Sequence, residues 1–151
     1  MMIEQHHEID QLLSRIVQAI ERVVQPSDRV VPRRLLQRLR KTLYGHISLE
    51  DGILFREFES QSGLLADGPT ATLRREHHVL KARIDGLAED LDSAPVPVLK
   101  RHLEAFCALY ADHCKREDVL YGICERLLSP ELLAEAQSLL GKKSSRGPDS
   151  R

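Results

Sequence analysis

Along four stretches of this chain apolar residues recur at alternating steps of 3 and 4, the period of one buried helix face. The first stripe is His6, Ile9, Leu13, Ile16 and Ile20, and the second is Leu36, Leu39, Leu43, His46, Glu50 and Ile53. The third is Leu73, His77, Leu80, Ile84, Leu87 and Leu91, and the fourth is Leu99, Leu103, Phe106, Tyr110, His113, Glu117 and Leu120. This periodicity predicts helices over about residues 3–24, 32–61, 70–91 and 97–128. Turn residues fall between them: Gln25, Pro26, Ser27 and Asp28; Gly63 with Asp67, Gly68 and Pro69; then Pro95 and Pro97. Pro32 suits the first turn of the second helix. Ser129, Pro130 and Glu131 read as the cap and first turn of a short fifth helix through Leu140, closed by Gly141. Alternating β-branched runs are missing, so no strand is expected.

Short connections make successive helices antiparallel, which gives an all-α, up-down-up-down four-helix bundle with a short C-terminal fifth helix. Residues 1–140 are expected to form this one domain and residues 141–151 a disordered tail.

Six positions on the seams are not apolar. His6, His46, Glu50, His77, His113 and Glu117 stand where a bundle core would hold leucine. At about 1.5 Å rise per residue their levels agree to about a turn, so the four histidines meet in one layer. A buried, unpaired carboxylate costs several kcal/mol or more, and six such groups on four seams call for a shared positive charge. A metal centre supplies it. His46/Glu50 and His113/Glu117 each present a nitrogen and an oxygen from one helix face. The halves also repeat: Gln5-His6-His7-Glu8-Ile9 returns as Glu76-His77-His78-Val79-Leu80, and His46-x3-Glu50-Asp51 as His113-x3-Glu117-Asp118. A duplicated hairpin with a pseudo-twofold site suits two metal ions, the glutamates bridging and the imidazoles capping two and two. Oxygen and nitrogen donors without thiolate suit iron or manganese and tolerate zinc.

These motifs, His6-x2-Ile9-Asp10, His46-x3-Glu50-Asp51-x3-Phe55, Glu76-His77-x2-Leu80 and His113-x3-Glu117-Asp118-x-Leu120-Tyr121, resemble the hemerythrin-like HHE cation-binding domain over roughly residues 3–128. The resemblance implies a non-haem di-iron centre of two iron ions, oxo- or hydroxo-bridged in some states, that binds or reacts with oxygen, nitric oxide or peroxide. It carries over His6, His46, Glu50, His77, His113 and Glu117 as ligands. Oxygen carriers of this family place a further histidine four residues after the third-helix ligand, where this chain has Lys81. With four histidines it is more similar to the di-iron repair and iron-sensing branches. The resemblance leaves three functions open: binding or sensing of oxygen or nitric oxide, a redox enzyme acting on peroxide or nitric oxide, and an iron-handling module for iron-sulfur cluster repair or iron sensing. A ferritin-like site would need two Glu-x-x-His motifs, and only Glu4-x-x-His7 fits.

Composition narrows the partners. Lys+Arg 22 against Asp+Glu 23 leaves a net charge of -1, with no general drive toward nucleic acid or an anionic membrane. The polar, acidic start and the lack of a long apolar run lead to the expectation of a cytoplasmic protein. Arg29, Arg33, Arg34, Arg38, Arg40 and Lys41 gather at the start of the second helix, where a protein partner could dock. Cys107, Cys114 and Cys124 share one helix and read as reduced thiols, with Cys114 beside His113 the one to watch for oxidation. His7 and His78 sit about 100° around the helix from their neighbours and are expected outside the site, as is His102. Asp51 and Asp118 are expected at the surface. Tyr44, Tyr110 and Tyr121 read as ordinary half-buried aromatics, Tyr110 being nearest the metals. Lys81 and Asp10 are expected to face each other across the interior.

Overall fold

Each predicted stripe folds as a helix, and the breaks between them fall at the proline and glycine clusters. The structure, a computed structural model, describes residues 2–64 (side chains from residue 4), 68–127, and beyond them 130, 131, 134 and 138. Helix α1 spans Met2–Glu21, α2 Val30–Leu49, α3 Phe55–Ser62, α4 Pro69–Ser93 and α5 Val96–Leu127. A short 3₁₀ turn, Pro26–Arg29, leads into α2. Between α2 and α3 the rod continues without a break through a π-helical turn, Glu50–Leu54. No strand occurs among the described residues. Residues 130, 131, 134 and 138 are helical, in keeping with a short C-terminal helix. The rest of that helix, and the tail expected over 141–151, lie outside the described residues.

The ends of the rods are set by local chemistry. Asp28 accepts the backbone N–H groups of Val24 and Gln25 at 3.0 and 2.9 Å, which closes the first corner and holds its carboxyl below the usual range. Gly63 adopts φ 70° and donates its N–H to Glu59 O, the left-handed stop that a β-carbon would disfavour. Gly68 and Pro69 open α4. At its other end Arg29 donates to Leu91 O and Ala94 O at 3.1 and 2.7 Å, satisfying carbonyls that the end of α4 leaves over.

Around the bundle the helices neighbour one another in the order α1, α2, α4, α5, and α5 closes against α1. The core falls into two apolar clusters. The larger runs from Ile9 through Leu36, Leu43, Leu80 and Ile84 to Phe106 and Tyr110. The smaller holds Leu54, Phe55, Phe58, Leu73, Leu120, Tyr121 and Cys124. On α5 the smaller cluster begins at Leu120, above His113 and Glu117, and the larger ends at Tyr110, below them. On α4 Leu73 and Leu80 flank His77 in the same way. A polar layer is therefore sealed between two hydrophobic plugs.

The stripes on α1, α4 and α5 are buried as expected. The second is corrected at its end: Leu54 and Phe55 are buried, and Ile53 is only partly so. The cause is the π turn, in which Phe55 N–H reaches back to Glu50 O and one extra residue rotates everything downstream. Gly86 lies inside α4 with nothing within 4 Å of where a β-carbon would stand. Gly86→Ala is expected to raise stability by about 0.5–1 kcal/mol through helix propensity, a gain of about 2–4 °C in a thermal melt followed by circular dichroism.

Candidate metal centre

Burial by neighbouring apolar layers fixes each candidate ligand. His6 on α1, His46 on α2, His77 on α4 and His113 on α5 are all buried, and Glu50 and Glu117 have no exposed surface. The two glutamates stand on diagonally opposed rods, Glu50 in the π turn and Glu117 on α5. The structure brings all six sequence-predicted residues together in two overlapping groups. One nitrogen or oxygen from each of His6, His46, Glu50 and Glu117 lies within 4.8 Å of the others, and the same holds for Glu50, His77, His113 and Glu117. Both glutamates belong to both groups.

The donor atoms converge on common points more than they pair with one another. His6 Nε2 is 3.0 Å from Glu117 Oε2, His46 Nε2 is 3.1 Å from Glu50 Oε1, and His77 Nε2 is 3.2 Å from Glu50 Oε2. Despite these separations neither oxygen of Glu50, nor Oε2 of Glu117, has a hydrogen-bond partner among the described residues. His6 Nε2 and His46 Nε2 face each other at 3.2 Å, a contact that needs a proton or a cation between the two lone pairs. Glu117 Oε1 takes His77 Nε2 at 3.3 Å and also meets His113 Nε2. Buried carboxylate oxygens without partners, ringed by imidazole nitrogens, fit divalent cations.

The outer ring nitrogens are held as well, which fixes ring orientation and leaves Nε2 as the inward donor. His46 Nδ1 is 2.7 Å from Gln5 Oε1, His77 Nδ1 2.9 Å from Asp51 Oδ1, and His113 Nδ1 2.7 Å from Glu76 Oε2. Glu76 is tied in turn to Arg116 at 2.6 Å. Arg74 binds Glu59 at 3.1 Å and the carbonyl of Asp51 at 3.0 Å, and lies over the Phe55 ring, which itself stacks on His77.

This packing sets the charge of the layer. Burial pushes His77 down, but its contacts with the Asp51, Glu117 and Glu50 carboxylates prevail and raise it to about 11. His46 is also raised: burial pushes it down most strongly, but the Glu50 charge and contact together with the Glu117 charge outweigh it. Burial alone would raise Glu117, yet His113, His6 and His77 hold it well below the usual carboxylate range.

Several expectations need correction. Asp51 is not a plain surface residue; the π turn aims it at His77. Gln5 and Glu76 lie off the apolar stripes and are not singled out by them, although their equivalent places before His6 and His77 are visible in the repeat. Tyr121 is buried and stacks on His6, while Tyr110 meets the same ring edge-on with centroids 6.3 Å apart. Neither hydroxyl has a hydrogen-bond partner among the described residues. Lys81 and Asp10 do not face each other: Lys81 Nζ lies over the Tyr44 ring, and Asp10 is exposed. As expected, Asp118, His7 and His78 are exposed, and His102 pairs with Asp90 at the surface. Cys114 is pushed up to about 12 by burial, which keeps it a thiol and disfavours oxidation. Of the basic residues near the start of α2, Arg33, Arg38 and Arg40 form ion pairs with Asp92, Glu8 and Asp85. No helix among the described residues is long and apolar enough to cross a membrane.

The family model described as Hemerythrin HHE cation binding domain matches residues 1–124. No curated protein and no solved structure matches the chain.

Raised imidazoles carry protons at neutral pH, and a cation must displace them. Adding metal to metal-stripped protein at pH 7 is expected to release protons, read with an indicator dye in weak buffer, and affinity is expected to climb with pH. Without metal the stability from His77 is full below its ordinary 6.5 and is lost as pH rises through about 11. That from Glu117 is present above its ordinary 4.5 and is lost as pH falls. Loading without proton release would contradict this charge balance.

His113→Ala removes a ligand and leaves Glu117 less compensated in the core, so metal content and melting temperature should both fall. His102→Ala should change neither. Equal metal loss in the two variants, measured by elemental analysis, would show that this buried layer is not the binding site.

Proposed function

Because the chain belongs to the hemerythrin HHE cation-binding domain family, we propose that it is a non-haem di-iron protein that binds or senses oxygen or nitric oxide. The observation that carries this reading is the sharing of Glu50 and Glu117 by two ligand groups, the arrangement that lets two carboxylates serve a pair of ions. His6 and His46 would complete one position, and His77 and His113 the other. Iron held there supplies Lewis acidity toward small anions and diatomic molecules, together with one-electron redox chemistry.

The chain's own residues prepare the site for such a ligand. The apolar clusters on either side exclude water and strengthen every electrostatic contact inside. Six protein ligands leave coordination positions for an exogenous molecule. The buried hydroxyl of Tyr121, on a ring stacked on His6, would be a donor for it. A redox enzyme acting on peroxide or nitric oxide, and an iron-handling module, use the same ligands and differ in the fate of the bound molecule or metal. Catalytic turnover marks the former, release of iron to a mild chelator the latter, and reversible spectral change with neither marks the binding protein.

Protein produced with ample iron is expected to hold about two iron ions per folded chain by elemental analysis, and its optical spectrum is expected to change reversibly with oxygen or nitric oxide. At most one tightly held ion per chain would overturn the dinuclear reading.

A further inference from the structure

Gln5 and Glu76 occupy equivalent positions in the two half-repeats, each just before its helix's histidine, and each holds the histidine of the neighbouring rod. Gln5 Oε1 accepts from His46 Nδ1 and Glu76 Oε2 from His113 Nδ1, both at 2.7 Å. The geometry repeats and the charge does not. Glu76 Oε1 also pairs with Arg116 at 2.6 Å. The other imidazole of that half, His77, donates to a second carboxylate, Asp51, at 2.9 Å, and Arg74 lies 3.5 Å from the same oxygen. In the opposite half His46 leans on a neutral amide, and the polar contacts of His6 among the described residues run through Nε2. Asp118, the repeat's counterpart of Asp51, is exposed. His6 is also the most exposed of the four histidines, at 9% against 1–2% for the others, and sits in the second turn of α1.

An anion accepting the outer N–H makes the inner nitrogen a stronger donor and holds the ring more firmly than an amide does. We infer that the two halves are unequal: the His77/His113 half fills first and keeps its ion, while the His6/His46 half fills second and exchanges, with Gln5, Glu76 and Asp51 as the positioning residues that set the difference. This rests on the dinuclear reading above.

Metal-stripped full-length protein would be titrated with cobalt(II) against a competing chelator, following the optical bands and bound metal together. Two ions with affinities differing by about tenfold or more are expected. Gln5→Glu should strengthen the weaker step by about tenfold, a gain that loss of packing would not produce. Glu76→Gln, and independently Asp51→Asn, should weaken the tighter step by about 10–100-fold. Melting curves of each metal-stripped variant confirm that it is folded, and either carboxylate variant suffices if the other is not. Two ions of equal affinity, or carboxylate variants that weaken only the second step, would overturn the inequality and leave a dinuclear site standing. Uptake of one ion or none would overturn both.

Discussion

Two carboxylates, Glu50 and Glu117, have no exposed surface at the centre of a helical bundle, and the rest of the structure is arranged around that fact. Neither could stay ionised there without compensation, since burial of a lone carboxylate costs several kcal/mol. Arginine does not supply it: Arg74 and Arg116 stand one layer out, tied to Asp51, Glu59 and Glu76. Only imidazoles reach the glutamates among the described residues. Histidine can be neutral or cationic, so the same four rings can balance the carboxylates when protonated and could hold a metal ion when not. A core built on arginine would be settled permanently, and one built on histidine remains open to a cation.

The apolar clusters on either side hold this layer in place. Because Leu120 and Tyr121 close it on one side of α5 and Phe106 and Tyr110 on the other, the ligand rotamers are fixed by packing before any ion arrives. The outer hydrogen bonds add orientation. Charge thus alternates in sign outward, from the central glutamates through the imidazoles to carboxylates and then to half-exposed arginines. Each shell neutralises the one inside it, so polar groups in the core do not demand water.

Most of this was legible in the chain because both helix packing and metal ligation obey the same 3.6-residue period. A ligand on a seam replaces a leucine, so His46, His77 and His113 announce themselves by interrupting an apolar stripe. Similar distances from the helix ends then put the histidines in a common layer. The polar supports were harder to see, since a residue one place from a ligand points about 100° away and reads as surface. Gln5 and Glu76 make contact from such positions because each reaches across to the next rod, and their partners are 41 and 37 residues distant. The pairing of Lys81 with Asp10 failed for a related reason: the α1 and α4 seams share an interior only at the inward-facing positions, and both residues lie beside them. Tyr44 on neighbouring α2 takes the lysine instead.

The π turn is the feature that no stripe revealed, and it separates two copies of one motif. Glu50-Asp51 and Glu117-Asp118 are the same dipeptide after the same His-x3 spacing. On α5 the pitch is regular, and Asp118 turns to solvent while Leu120 and Tyr121 return to the core. In the π turn the backbone widens, Asp51 reaches His77, and the core positions move on to Leu54 and Phe55. The shift also stacks Phe55 on His77 and gives Arg74 a ring to cover. One inserted residue thus recruits an acid, an aromatic and a base to a single histidine, and its pseudo-equivalent, His6, keeps a stacked aromatic, Tyr121, without the acid or the base. The repeated motif gives two similar ligand groups, and a change in helix pitch makes them different.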